Sequence, residues 1–275
     1  MSLSNSIFSS DSVWTGMVPV EDTALATTDT RGPGCPVVYL NGSYADQSHW
    51  RRVIGELGSD WRHITYDERA RGGSKRSADY SFEACVRDVD AVLEARSVDR
   101  PILVGWSYGA ALAVHWANRN PGRVLGVVLV DGAMPYDWID DAARERIRTL
   151  FRRLRWMFPI ARRLGLAARF SAEQHAEINI EINEGLGALG PVLDGLACPG
   201  RWVIASGGNL GGGAEEMERA RASLAPALAR NSNLEVSAKV ASNHSKILRK
   251  DFRAVADAVR EIASTHEAPC SREVT

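Results

Sequence analysis

The 275-residue chain predicts an α/β fold, a mostly parallel sheet flanked by helices with a helical segment inserted after the sixth strand. Three observations carry this. Pro36–Leu40, Ile102–Gly105 and Val127–Val130 are short, continuously apolar runs, the pattern of strands buried on both faces. Segments with helical periodicity alternate with these runs, as right-handed βαβ units require. The alternation then stops between Tyr136 and Ala197, where the chain reads as helical and arginine-bearing with no convincing strand.

Taken in order, residues 1–12 are Ser-rich and polar and read as a tail without a secretory signal. Val13–Val20 and Thr23–Thr30 are β-branched and alternating, which predicts an opening antiparallel pair, and Arg31-Gly-Pro-Gly34 breaks the chain after it. Pro36–Leu40 is the first buried strand and ends at Asn41-Gly42. A helix is expected around Trp50–Leu57 and a strand over Trp61–Tyr66. Ser81 is a suitable N-cap for a helix whose apolar face is Phe82, Cys85, Val89, Val92 and Leu93. Pro101–Trp106 reads as a strand, Ala110–Ala117 as an apolar helix and Arg123–Val130 as a strand. After the insertion, Arg201–Ala205 resumes the sheet, a helix starts near Ala214, and Leu234–Val240 is the last strand. Leu248, Phe252, Val255, Val259 and Ile262 mark the face of one closing amphipathic helix. The division expected is a core of residues 13–135 and 198–275, with a helical lid of residues 136–197.

Composition narrows the function classes. Hydrophobic residues make up 45% and charged residues 24%, the balance of a globular protein with a real core, and a net charge of -1 offers nothing to nucleic acid. Every apolar run is too short to span a bilayer. Stable membrane insertion is therefore not expected, and a cytoplasmic protein is. Cys35, Cys85, Cys198 and Cys270 lie far apart, without a CxxC, and read as free thiols. The six histidines show no close ligand spacing, so neither a metal nor another cofactor is expected.

Gly105-Trp-Ser-Tyr-Gly109 joins an apolar strand directly to the small-residue helix Ala110-Ala-Leu-Ala113. In such a strand–turn–helix, Ser107 occupies a strained turn and the flanking glycines let strand and helix approach closely. Its hydroxyl then stands at a helix N-terminus, where backbone N–H groups can stabilise negative charge. The plainer role for Ser107 is that of a helix N-cap.

With these residues the sequence resembles the α/β-hydrolase superfamily over nearly its whole length outside tail and lid. Asn41-Gly42-Ser43 stands where that family usually has His-Gly, and Asp67-Glu-Arg-Ala-Arg-Gly-Gly-Ser74 is similar to its D-x-R-G-x-G-x-S loop, with Ala70 in place of one glycine. Val127–Asp131 resembles the strand after the elbow helix, and Asn243-His244-Ser245 the terminal histidine loop. The resemblance implies that Ser107 is the nucleophile, that His244 is its general base, and that the backbone N–H groups of Ser43 and Tyr108 form the oxyanion hole. Asn41, Trp106, Trp156 and Phe158 are the expected substrate contacts. Arg69 and Arg71 are expected to staple loops.

The acid is less direct. The family usually carries it after the strand that is here Trp202–Ala205, but Ser206-Gly-Gly-Asn-Leu-Gly-Gly-Gly213 follows, with no carboxylate before Glu215. Asn209 sits near the usual place without a charge. Asp131, one strand earlier, is the preferred acid, with Glu215 and Asp137 as alternatives.

In the lid, arginines from Arg144 to Arg163 interleave with Ile147, Leu150, Phe151, Leu154, Trp156, Met157, Phe158 and Leu164. This reads as a solvated basic face and an apolar face over the pocket, with a membrane surface or an acidic partner as the alternative. The function implied is a serine hydrolase for a lipophilic ester, lactone or thioester, its partner a small acyl substrate. Two alternatives stay open: acyl transfer, cyclisation or dehydration at the same site, or a ligand-binding protein without catalysis.

Overall fold

The computed structural model describes residues 13–163, 168–207 and 214–266. The expected tail, Leu164, Asn209 and Cys270 lie outside the described residues. In chain order the elements begin with strands β1 (Trp14–Val20), β2 (Thr23–Asp29) and β3 (Pro36–Leu40), then helix α1 (Arg51–Leu57), β4 (Arg62–Tyr66), α2 (Phe82–Ala95), β5 (Ile102–Trp106), α3 (Tyr108–Arg119) and β6 (Gly126–Val130). Four helices follow: α4 (Asp141–Leu154), α5 (Phe158–Arg163), α6 (Ala172–Gly187) and α7 (Gly190–Asp194). The chain closes with β7 (Gly200–Ala205), α8 (Ala214–Ala222), α9 (Ala225–Arg230), β8 (Leu234–Val240), α10 (Ile247–Lys250) and α11 (Phe252–Ser264).

The strands form one eight-stranded sheet in the order β1-β2-β4-β3-β5-β6-β7-β8. β1 and β2 pair antiparallel, as does β2 with β4, and every later pairing is parallel. The continuously apolar runs supply both faces through their two-residue period. Val38, Leu40, Leu103, Val127 and Leu129 enter one core with α2 and α3, while Val37, Tyr39, Ile102, Val104, Val128 and Val130 enter the other with α1 and α11. β3 lies between β4 and β5, so the chain leaves it first to one side and then to the other. The loops after β3 and β5 therefore diverge, opening a crevice at the carboxyl ends of the strands.

Local chemistry sets the helix boundaries. The Ser81 side chain accepts from the Ala84 N–H and starts α2; Asp140 does the same for α4 through Ala143. The expected single closing helix is two, α10 and α11, because the backbone at Asp251 leaves the helical region (φ -115°, ψ 29°). The insertion also differs from a uniform lid. Phe151, Phe158, Ala172 and Ala176 form their own small cluster, but Leu189, Leu193 and Leu196 pack in the main core with α3, so α7 belongs to the layer covering the sheet.

Candidate functional site

Ser107 occupies the single residue between β5 and α3, with φ 56° and ψ -115°. A non-glycine residue on this side of the Ramachandran map stores strain of order 1–3 kcal/mol and persists only where the surroundings hold it. Here the Ser107 N–H donates to Val130 O at 3.0 Å, and Ser107 O accepts from the Ala110 N–H at 3.1 Å. Two glycines make the turn possible. A Cβ on Gly105 would lie 2.2 Å from Gly109 O, and one on Gly109 would lie 2.1 Å from Leu40 O. Unlike Ser81, Ser107 makes no side-chain capping bond, so its hydroxyl is not spent on the helix.

The loop after β3 runs beside this serine. A Cβ on Gly42 would sit 3.0 Å from Trp106 Cε3 and 3.4 Å from Ser107 Cβ. Ser43, next along that loop, is half-buried. Tyr108 is the first residue of α3, where a backbone N–H has no acceptor within its own helix. Its side chain is buried edge-on against Phe82, with the Arg71 guanidinium 5.5 Å from its ring centroid.

Asp131 follows β6 and is buried, with φ 43°. Its Oδ1 accepts from the Ala205 N–H at 3.1 Å and from Arg221 Nε at 3.4 Å, while Oδ2 lies 2.9 Å from His244 Nδ1. A carboxylate on Nδ1 favours the tautomer with the proton there, which leaves Nε2 free to accept one. His244 opens a short 3₁₀ turn capped by Asn243, whose side chain accepts from the Lys246 N–H at 3.1 Å. Glu215 and Asp137, the alternative acids, are both exposed, and the Asp137 carboxylate accepts from the Ile139 N–H.

Four expected substrate contacts fare differently. Asn41 is corrected: it is fully buried, and its Nδ2 donates to Tyr66 O at 2.7 Å and Glu68 Oε2 at 3.0 Å. Its Oδ1 accepts from Trp50 Nε1 at 2.8 Å, and its backbone N–H donates to Glu68 Oε1 at 2.9 Å. With both amide hydrogens engaged, Asn41 anchors the loop and offers substrate no donor. Trp106 is half-buried, its ring 5.5 Å from that of His244 and 5.9 Å from that of His49. Phe158 is buried in the small insertion cluster, where it stacks 4.5 Å from His175. Trp156, expected to contact substrate from an apolar lid face, is instead 68% exposed and joins none of the buried clusters.

The D-x-R loop is a structural staple. Arg69 is buried and grips both oxygens of buried Asp88 at 2.8–3.0 Å, with further bonds to Ser77, Asp79 O and Glu21. Arg71 Nη1 lies 3.7 Å from Glu68 Oε2, and burial raises the Glu68 carboxyl above its ordinary range. Sequence reasoning passed over Glu68, Arg221 and His49. Glu68 is the unspecified position of the D-x-R loop and the other two stand in no recognisable motif, while their contacts with Asn41, Asp131 and Trp106 cross separations that only the fold closes.

A family profile described as "alpha/beta hydrolase fold" matches residues 36–181, more than half of the chain. The chain belongs to the alpha/beta hydrolase family. It is 33% identical over 140 residues to a haloalkane dehalogenase of Mesorhizobium japonicum, a match covering 50% of this chain and 45% of that one. A 2-hydroxymuconate semialdehyde hydrolase of a Pseudomonas species is 35% identical over 107 residues, covering 37% of this chain and 38% of that protein. The chain thus spans less than half the length of these curated relatives. Among solved alpha/beta hydrolases, a thermophilic esterase from Thermogutta terrifontis superposes with a TM-score of 0.69 at 20% identity, covering 92% of this chain and 98% of that one. At that identity the likeness concerns the fold.

Proposed function

We propose that this protein is a serine hydrolase acting on a carboxylic ester, lactone or thioester of a lipophilic small molecule. Ser107 attacks the carbonyl, His244 takes and returns the proton through Nε2, and Asp131 holds the imidazole and balances its charge. The N–H groups of Ser43 and Tyr108 receive the oxyanion, and water releases the acyl group from Ser107. The observation that carries the reading is the 2.9 Å contact between Asp131 and His244, taken together with a strained serine that does not cap its helix.

The relatives named above act on different bonds, and the nucleophile argues between them. A serine that displaced halide from a haloalkane would become an alkyl ether, which water does not cleave, and turnover would stop. A serine that attacks a carbonyl becomes an acyl ester, which water cleaves. The first reaction would need a nucleophile whose adduct is itself hydrolysable, so a hydroxyl at position 107 favours acyl chemistry.

Incubation with a fluorophosphonate probe, followed by esters, lactones and thioesters of graded chain length, tests this. Labelling lost in Ser107→Ala, together with turnover of at least one carbonyl substrate, is the expected result. Labelling that persists in that variant removes Ser107 from the role. Halide release without acyl hydrolysis would replace the proposed reaction.

A further inference from the structure

The stretch from Leu150 to Ile160, at the end of α4 and into α5, carries an unusual surface. Leu150 is 52% exposed, Trp156 68%, Met157 44% and Ile160 58%. Only Met17 and Tyr44 are comparably exposed large apolar residues elsewhere among the described residues, so two-thirds of such side chains crowd into eleven positions. Isolated exposed apolar residues are ordinary, whereas a contiguous group marks an interaction surface.

The charge on this stretch is equally uneven. Earlier on α4, Arg144 pairs with Asp141 and Glu184, and Arg148 with Glu145 and Glu177. Arg152, Arg153 and Arg155 are exposed and form no ion pair among the described residues. Glu173 feels Arg155 and Arg152 only through space. The helix dipole favours cations at the end of α4. It gives no reason for Trp156 and Ile160 to stand in water beside them.

The same segment is anchored from beneath. Phe151 and Phe158 are buried, stack on each other at 6.0 Å, and stack on His175 of α6 at 5.7 Å and 4.5 Å. The apolar residues that can be buried within the chain already are. Those left outside form a second apolar set, bordered by three arginines that have no ion-pair partner among the described residues.

We infer that this ridge seats the protein on an anionic lipid surface. Trp156, Met157, Ile160 and Leu150 enter the boundary between headgroups and acyl chains, and Arg152, Arg153 and Arg155 meet lipid phosphates. A second copy of the chain fits less well, because a two-fold contact would set three arginines against three arginines. The inference is independent of the chemistry proposed at Ser107.

The test is flotation of the intact protein with vesicles of phosphatidylcholine alone, or with about one-third phosphatidylglycerol. Co-flotation with the anionic vesicles, weakened by salt, is expected. At about 1 kcal/mol per arginine, or fivefold each, the triple change R152Q/R153Q/R155Q lowers partitioning by about a hundredfold. Trp156→Ser lowers it as well, and brominated acyl chains quench fluorescence in the wild type more than in Trp156→Ser. These side chains are exposed, so thermal stability is unchanged, which separates lost binding from lost fold. Wild-type protein that stays with the buffer, or triple-variant protein that floats as the wild type does, overturns the inference. So does a concentration-dependent dimer that Trp156→Ser abolishes while vesicles bind neither protein.

Discussion

Replacing Asp131 by Asn tests the proposed mechanism with little disturbance to the backbone. Asp131 has φ 43°, a conformation that Asn tolerates better than any other residue except Gly, so the strand end should hold its shape. The new amide has one acceptor and one donor group. Two donors, the Ala205 N–H at 3.1 Å and Arg221 Nε at 3.4 Å, already converge on Oδ1, so the amide oxygen is held there and the NH₂ takes the place of Oδ2. That NH₂ faces His244 Nδ1 at the 2.9 Å position and donates to it. The imidazole then carries its proton on Nε2 and cannot accept one from Ser107. In the best-studied triad, the corresponding change lowers kcat about 10⁴-fold, equivalent to about 5 kcal/mol of transition-state stabilisation. The assay is kcat on the best ester of the panel, with fluorophosphonate labelling rate and melting temperature measured in parallel. Labelling should slow with turnover while melting moves by a few degrees. A folded variant that keeps kcat within about tenfold of the wild type would refute the assignment of Asp131.

Three further perturbations probe the framework. Gly109→Ala places a Cβ 2.1 Å from Leu40 O, so the elbow must shift; a loss of about 1–3 kcal/mol in denaturant unfolding is expected, together with loss of labelling. Asp88→Asn leaves buried Arg69 with only the exposed Glu21 carboxylate as its anion, and about 3 kcal/mol should be lost with the labelling of the remaining folded protein intact. His63 is buried as a neutral ring between the Tyr39 hydroxyl and Gly58 O, and burial depresses it from 6.5 to about 4. The unfolded chain therefore binds the extra proton between those values. Stability from this group is complete above pH 6.5 and falls, by about 3 kcal/mol in all, as pH drops toward 4. The difference in pH slope between the wild type and His63→Gln, from denaturant unfolding at several pH values, isolates this contribution. Equal slopes would show that His63 does not carry it.

What could be read in advance followed from local rules. A continuously apolar run such as Val127–Val130 can only be satisfied between two helical layers, and Ser81 ends a loop by capping the next helix. The strained serine was legible because strand, glycine, serine, glycine and helix are consecutive. Positions set by distant partners were not legible. Asn41 reads as a polar loop residue at a crevice, and only the arrival of Glu68 and Trp50 turns it inward. Trp156 reads as pocket lining by composition, but α4 ends at Leu154, and beyond a helix end periodicity no longer says which way a side chain faces.

The proposed placement of the acid at Asp131 and the glycine at position 207 have one physical explanation. His244 lies beyond β8, and Asp131 follows β6, so the histidine loop must cross the end of β7 to reach it. The crossing is close. A Cβ on Gly207 would lie 2.6 Å from Asn243 Cβ and 2.8 Å from its Cα. The chain is pinned there by the Ser206 N–H to Val240 O at 2.9 Å and the Gly207 N–H to Ser242 O at 3.1 Å. Arg221 clasps the crossing from α8, donating to Gly207 O at 2.7 Å while its Nε reaches Asp131 Oδ1. A side chain at position 207, a carboxylate included, would occupy the space through which the Asn243–His244 backbone passes. On the proposed mechanism, the glycine at position 207 is therefore part of the geometry that lets Asp131 serve His244. Gly207→Asp should not supply a substitute for Asp131; it should push the histidine loop away, lowering turnover even with Asp131 intact. A Gly207→Asp protein with wild-type kcat would show that the loop has another route to β6.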